Sequence, residues 1–127
     1  MVKPPSSITL LLFAISIIFL SGCISSNSNS KEPTLSLTVD NNNNYDVSLK
    51  IIIIDSKQLE IYNNTLQINP NDYFSIDDIT NTKGIFTINV SLNNLSYINN
   101  DIRVEEKYSN VKIQINNDNV EITQIIK

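Results

Sequence analysis

Gly84-Ile85-Phe86-Thr87-Ile88-Asn89-Val90-Ser91-Leu92 is the stretch that decides the fold class. Phe86, Ile88, Val90 and Leu92 share one parity, and Thr87, Asn89 and Ser91 share the other. Successive side chains of an extended chain point to opposite faces, so the run reads as a strand with one buried and one wetted face. Lys83-Gly84 opens it and Asn93-Asn94 closes it, and both pairs are turn formers.

The same period of two recurs on both sides. Leu35, Leu37 and Val39 alternate with Ser36 and Thr38, and Asp40 to Asn44 then reads as a polar turn. Tyr45, Val47, Leu49, Ile51 and Ile53 form one face of a second strand. Leu59 with Ile61, and Leu66 with Ile68, read as two short strands separated by a turn at Asn63-Asn64. Asn69-Pro70-Asn71-Asp72 is a strong turn signal, with a weaker strand from Tyr73 to Ile79 beyond it. Asn99-Asn100 is expected to separate the segment of Leu95 and Tyr97 from Ile102 and Val104. A last hairpin pairs Val111, Ile113 and Ile115 with Val120 and Ile122 across Asn116-Asn117-Asp118-Asn119. No helical period is sustained in this part of the chain. Short strands with turn signals between them predict an all-β fold. An antiparallel immunoglobulin-like sandwich fits the length, and a small closed β-barrel is the alternative.

The N-terminal part is of another kind. Ile8 to Leu20 is almost wholly apolar, one cation (Lys3) precedes it, and Leu20-Ser21-Gly22-Cys23 closes it. This is the layout of an export signal, and the run is short for a transmembrane helix. The tetrapeptide resembles the lipobox of prokaryotic membrane lipoproteins. That resemblance implies lipid on the Cys23 thiol and cleavage after Leu20, Ser21 and Gly22. An ordinary secretory signal and an uncleaved N-terminal anchor are the other readings. The expected organisation is a signal peptide over 1–22, a flexible Ser/Asn tether over 23–33 and a β-sandwich domain over 34–127. A coil of about ten residues has a mean reach of roughly 17–19 Å. The expected location is the cell membrane, lipid-anchored and facing outside the cytoplasm.

The region from 34 onward resembles a loose group of uncharacterised archaeal and bacterial surface lipoproteins with immunoglobulin-like domains. Asp40-Asn41, Val47 to Asp55, Ile61-Tyr62 running to Leu66, Pro70, and Gly84-Ile85-Phe86 leading to Val90-Ser91-Leu92 carry the likeness. These are marks of fold, so the resemblance implies a sandwich and no chemistry. The paired cysteines and core tryptophan of antibody-type domains are absent.

Composition removes most catalytic classes. The chain has no histidine and one cysteine, and Gly84 is the sole glycine beyond Gly22. Histidine-based triads, zinc sites built on His or Cys, and glycine-rich phosphate loops are therefore excluded from the mature part. With Cys23 lipidated, the domain holds no disulfide and depends on its core. The formal charge of −4 becomes one unit more negative when Lys3 is removed. An acidic surface speaks against nucleic acid and against electrostatic attraction to anionic lipid.

Other candidate residues are set by pattern. Ile52 and Ile54 should point outward from the strand whose inward face carries Ile51 and Ile53. Such a pair marks an interaction patch unless a loop or neighbouring strand covers it, as is common. Asp40, Asn42 and Asn44 offer oxygen ligands, but Tyr45 and Ile51 stand where an EF-hand loop needs glycine and an acidic residue, so no metal or other cofactor is assigned. Asp77-Asp78 and Glu105-Glu106 are neighbours on extended chain and face opposite ways, so neither is a prearranged acid–base pair. Asn63-Asn64-Thr65, Asn89-Val90-Ser91 and Asn94-Leu95-Ser96 fit the N-glycosylation sequon, making Asn63, Asn89 and Asn94 candidate acceptors. The expected function is that of a non-enzymatic envelope protein, membrane-held through Cys23, with an unknown protein or polymer as partner. A binding module for carbohydrate or cell-wall polymer, using Tyr45, Tyr62, Tyr73, Tyr97 and Tyr108, is the alternative.

Overall fold

Eight strands follow one another along the chain in the computed structural model, which describes residues 32–127. They are β1 (Leu35–Asn41), β2 (Val47–Ile54), β3 (Glu60–Ile68), β4 (Tyr73–Thr80), β5 (Gly84–Leu92), β6 (Leu95–Val104), β7 (Ser109–Asn116) and β8 (Asn119–Ile126). One sheet has the order β4-β1-β7-β8 and the other β3-β2-β5-β6. The sheets do not close into a barrel; the fold is a β-sandwich. Every pair is antiparallel except β1 with β7, which run parallel from Leu35 opposite Ser109 to Asn41 opposite Ile115.

The alternation read from the sequence is the packing of the molecule. Leu35, Leu37 and Val39 of β1, and Val111, Ile113 and Ile115 of β7, are inaccessible to solvent. They face Leu49, Ile51, Ile53, Phe86, Ile88 and Val90 of the opposite sheet within a single core cluster. This burial of apolar surface is the main force that holds the two sheets together.

Three local expectations are corrected. Asn63-Asn64 is no turn: β3 runs unbroken through both residues, which pair with Ile52 and Ile51. Asn99-Asn100 likewise lies inside β6, where the register against β5 shifts between Phe86 and Ile88. At Asn63-Asn64 continuous pairing with β2 overrides the turn preference of asparagine, and at Asn99-Asn100 the chain absorbs a bulge, Asn99 opposite Ile88 and Ile102 opposite Phe86, without leaving the strand. Tyr45 lies before β2, in the loop, and is 45% exposed.

Where the turn readings hold, asparagine supplies the backbone. Asn93 and Asn94 have φ of 50° and 63°, both left-handed, and make the two-residue β5–β6 hairpin. Asn71 and Asn117 take φ of 53° and 55° in the β3–β4 and β7–β8 turns. Gly84 opens β5 at φ 152°, a conformation side chains rarely adopt, and a Cβ there would meet only Phe86 Cε2 at 3.9 Å. The space is ordinary and the backbone is not. Gly84→Ala is therefore expected to destabilise the domain by about 1–2 kcal/mol in urea unfolding.

The sandwich manages its edges. β6 and β8 are edge strands of opposite sheets, and the Gln124 amide joins them. Arg103 N donates to Gln124 Oε1 at 3.0 Å, and Gln124 Nε2 donates to Arg103 O. Ser109 Oγ donates to the same carbonyl at 2.9 Å. A side-chain amide thus occupies backbone groups of an edge strand that would otherwise invite another strand.

An even number of strands gives the fold a polarity. The chain enters at Glu32 and leaves at Lys127 at one end, together with the β2–β3, β4–β5 and β6–β7 loops. The β1–β2, β3–β4, β5–β6 and β7–β8 loops all lie at the other. Among the described residues no helix is long and apolar enough to cross a membrane. Leu20 to Cys23 and most of the tether lie outside the described residues.

Candidate functional site

The end remote from the chain's entry is built almost entirely from asparagine, aspartate and tyrosine, and two buried amides hold it in shape. Asn41 continues the inward parity of Leu35, Leu37 and Val39, and is 1% exposed. Its Nδ2 donates to three carbonyls: Tyr45 O at 2.8 Å, Asn69 O at 2.9 Å and Ile68 O at 3.2 Å. Its Oδ1 accepts from Asn43 N at 3.0 Å, and its backbone N donates to Asp72 O at 2.9 Å. One residue therefore ties the β1–β2 loop to the β3–β4 turn.

Asn43, 4% exposed, carries the tie to the next loop. Its Nδ2 donates to Asn117 O at 3.1 Å and its Oδ1 accepts from Asn117 N, while Asn71 N donates to its carbonyl at 3.0 Å. Asn42 Nδ2 adds a bond to Asn116 Oδ1 at 2.9 Å. The fourth loop joins through Asp118, whose Oδ1 accepts from Asn93 Nδ2 at 3.2 Å and whose carbonyl accepts from Tyr97 Oη at 2.8 Å. All four loops are linked across both sheets. Buried amides with every bond made fix a single arrangement, because any slip leaves a desolvated polar group behind.

The outer surface of this end carries Asp46, Asp72 and Asp118, with no lysine or arginine in its loops. Tyr45 and Tyr73 stand out from it, Tyr73 68% exposed, as does Leu95. The surface is polar, acidic and preorganised. Among the described residues, no group of three or more acidic, histidine or cysteine side chains is placed to hold a metal ion. Asp40 Oδ2 instead meets Lys112 Nζ at 2.9 Å. Asp77, Asp78, Glu105 and Glu106 are all exposed. The Arg103 guanidinium is held above its ordinary pKa by its hydrogen bond to Asp101 and the charge of that carboxylate. An arginine is charged throughout in any case, so no proton transfer follows.

The outer face of the β3-β2-β5-β6 sheet brings other candidates together. Ile52 pairs with Asn63 on one side and Asn89 on the other, and Ile98 lies beyond Asn89, so the four form one cross-strand row. Ile54 sits between Glu60 and Thr87. Ile52 and Ile54 are both half-buried, whereas Ile98 is 60% exposed. A strand boundary at Asn99-Asn100 hides Ile98 in the sequence; its parity with Ser96 is the signal that places it outward.

Of the sequon residues, Asn63 is exposed on the edge strand β3, where Nδ2 donates to Glu60 Oε1 at 2.9 Å. Asn94 is exposed in the hairpin turn, and Asn89 is half-buried and accepts from Ser96 Oγ at 2.6 Å. The five tyrosines do not share a face. Tyr62 and Tyr97 pack against the core, Tyr108 is half-buried at the entry end, and Tyr45 and Tyr73 flank the asparagine loops.

No protein-family model matches this chain. No curated protein matches it either. Among solved structures, the NMR structure of a protein from Eubacterium rectale is similar, with 14% identity and a TM-score of 0.45. The match covers 75% of this chain and 90% of that one.

Proposed function

We propose that this is a lipid-anchored cell-envelope protein, held through Cys23 on the outer side of the membrane, whose β-sandwich serves as a non-enzymatic structural or protein-contact module. The observation that carries the reading is the polarity of the fold: the N-terminal chain enters at one end and the cross-linked asparagine loops occupy the other. A domain tethered at its entry end presents the opposite end outward. There the amides are largely spent on holding the loops, which leaves a rigid acidic surface suited to a macromolecular partner rather than a cleft for chemistry. The row of Ile52, Asn63, Asn89 and Ile98 offers a second outward surface, with Asn63 and Asn94 the accessible sequon residues. The acidic charge sets nucleic acid aside as a partner. A module for carbohydrate or cell-wall polymer is the weaker alternative, since only Tyr45 and Tyr73 stand exposed at the outward end.

The anchor is tested by Cys23→Ser. The variant is expected to lose membrane fractionation, or to accumulate with residues 1–22 uncleaved. Unchanged fractionation together with unchanged mass overturns the lipid anchor.

A further inference from the structure

The entry end carries an apolar strip. Leu59 in the β2–β3 loop is 64% exposed, Ile85 at the start of β5 is 48% exposed, and Ile126 at the end of β8 is 56% exposed. Ile85 joins the other two. It shares a cleft of about 300 Å³ with Leu59 and another of about 550 Å³ with Ile126. Lys57 and Lys83 line the first cleft, and Lys83 and Lys107 the second. Lysines at such places cover apolar surface with their stems and keep their charge in water. Arg103 lines the second cleft as well, and Asp55, Glu105 and Glu106 lie among these cations and offset them, so this end has no strong field of either sign. The opposite end is acidic.

We propose that the entry end rests on the lipid bilayer, with Leu59, Ile85 and Ile126 in the interfacial layer. The inference rests on the anchored reading above. A chain held at Cys23 has about ten residues before the domain begins, and no conformation of that many residues spans more than roughly 33–36 Å. The strip is then at high effective concentration over the surface, and a small apolar contact that could not hold a free protein suffices to orient a tethered one. The charge distribution agrees, because anionic headgroups repel the carboxylates of the asparagine loops and meet a balanced surface at the entry end. Docking in this way fixes the asparagine loops pointing away from the membrane.

The test uses the full lipidated chain in vesicles of phosphatidylcholine with a minor fraction of phosphatidylglycerol. Cys23 is the only cysteine and in the lipidated chain its thiol is blocked, so Leu59→Cys or Asn44→Cys each supplies one site for a fluorophore. Strands of eight residues place the two sites about 25 Å apart along the sandwich. A nitroxide lipid is expected to quench the label at 59 several-fold more than the label at 44. Adding Ile85→Ser and Ile126→Ser should reduce that difference several-fold. Equal quenching at both sites on chains that float with the vesicles overturns the docked orientation and leaves the anchor standing. Chains that do not float overturn the anchor, and the docking falls with it.

Discussion

Asn41→Ala is expected to lower the unfolding free energy by about 3–5 kcal/mol, more than any surface substitution in the domain. The estimate follows from what the amide leaves behind. Ile68 O and Asn43 N lose their bonds in buried surroundings, and each unsatisfied buried group costs about 1–3 kcal/mol. Tyr45 O and Asn69 O are partly buried and can recover some hydration, so they add less. Urea unfolding of Asn41→Ala beside Asn44→Ala measures the difference. Asn44 is exposed, and its substitution should change stability by no more than about 0.5 kcal/mol. Equal midpoints for the two variants would remove the structural role assigned to the buried amide.

Asn41→Asp sharpens the same test through pH. The substitution puts a carboxylate oxygen where a donor faces three carbonyls, so the charged form is disfavoured and the folded-state pKa rises above the unfolded value of about 3.9. A group that holds its proton more tightly when folded contributes fully below its unfolded pKa and loses that contribution as pH rises through its folded pKa. The variant should therefore be least stable near neutrality and recover part of its deficit in mild acid. Asn41→Ala should show no such recovery.

The contrast between Asn41 and Asn63 shows what the sequence conceals. Both sit in asparagine-rich stretches, and local preference assigns both to turns. The polar run from Asp40 to Asn44 reads as a turn, whereas β1 continues through Asn41 and its parity with Leu35, Leu37 and Val39 carries the side chain inward. Asn63 opposes Ile52 in an unbroken ladder, and only knowledge of the partner strand reveals that. Alternation specifies which side chains face the core and is silent about neighbours. The sheet orders, and the parallel pairing of β1 with β7 above all, therefore lay beyond a reading of single strands. The candidate surface was legible only in part for the same reason. Its four loops are distant in sequence and meet because eight strands alternate in direction.

Ile51→Ala should cost about 3–4 kcal/mol, while Ile52→Ala next to it should cost about 1 kcal/mol or less. Ile51 is inaccessible to solvent on β2, an interior strand flanked by β3 and β5, so truncation removes buried methyl groups and leaves a cavity that paired strands on both sides cannot collapse to fill. Ile52 faces outward and is half-buried between Asn63 and Asn89, so its truncation opens to solvent and leaves no sealed cavity in the core. Urea midpoints of the two variants give the comparison directly. The asymmetry also bears on function. On the proposed reading, an isoleucine between two asparagines on the outer sheet face contributes to partner contact rather than to folding. Ile52→Ala is thus the variant in which loss of a captured envelope partner, with the fold intact, can be read without a stability artefact. If the two substitutions cost the same, Ile52 is core, and the outer face of this sheet loses its claim as an interaction surface.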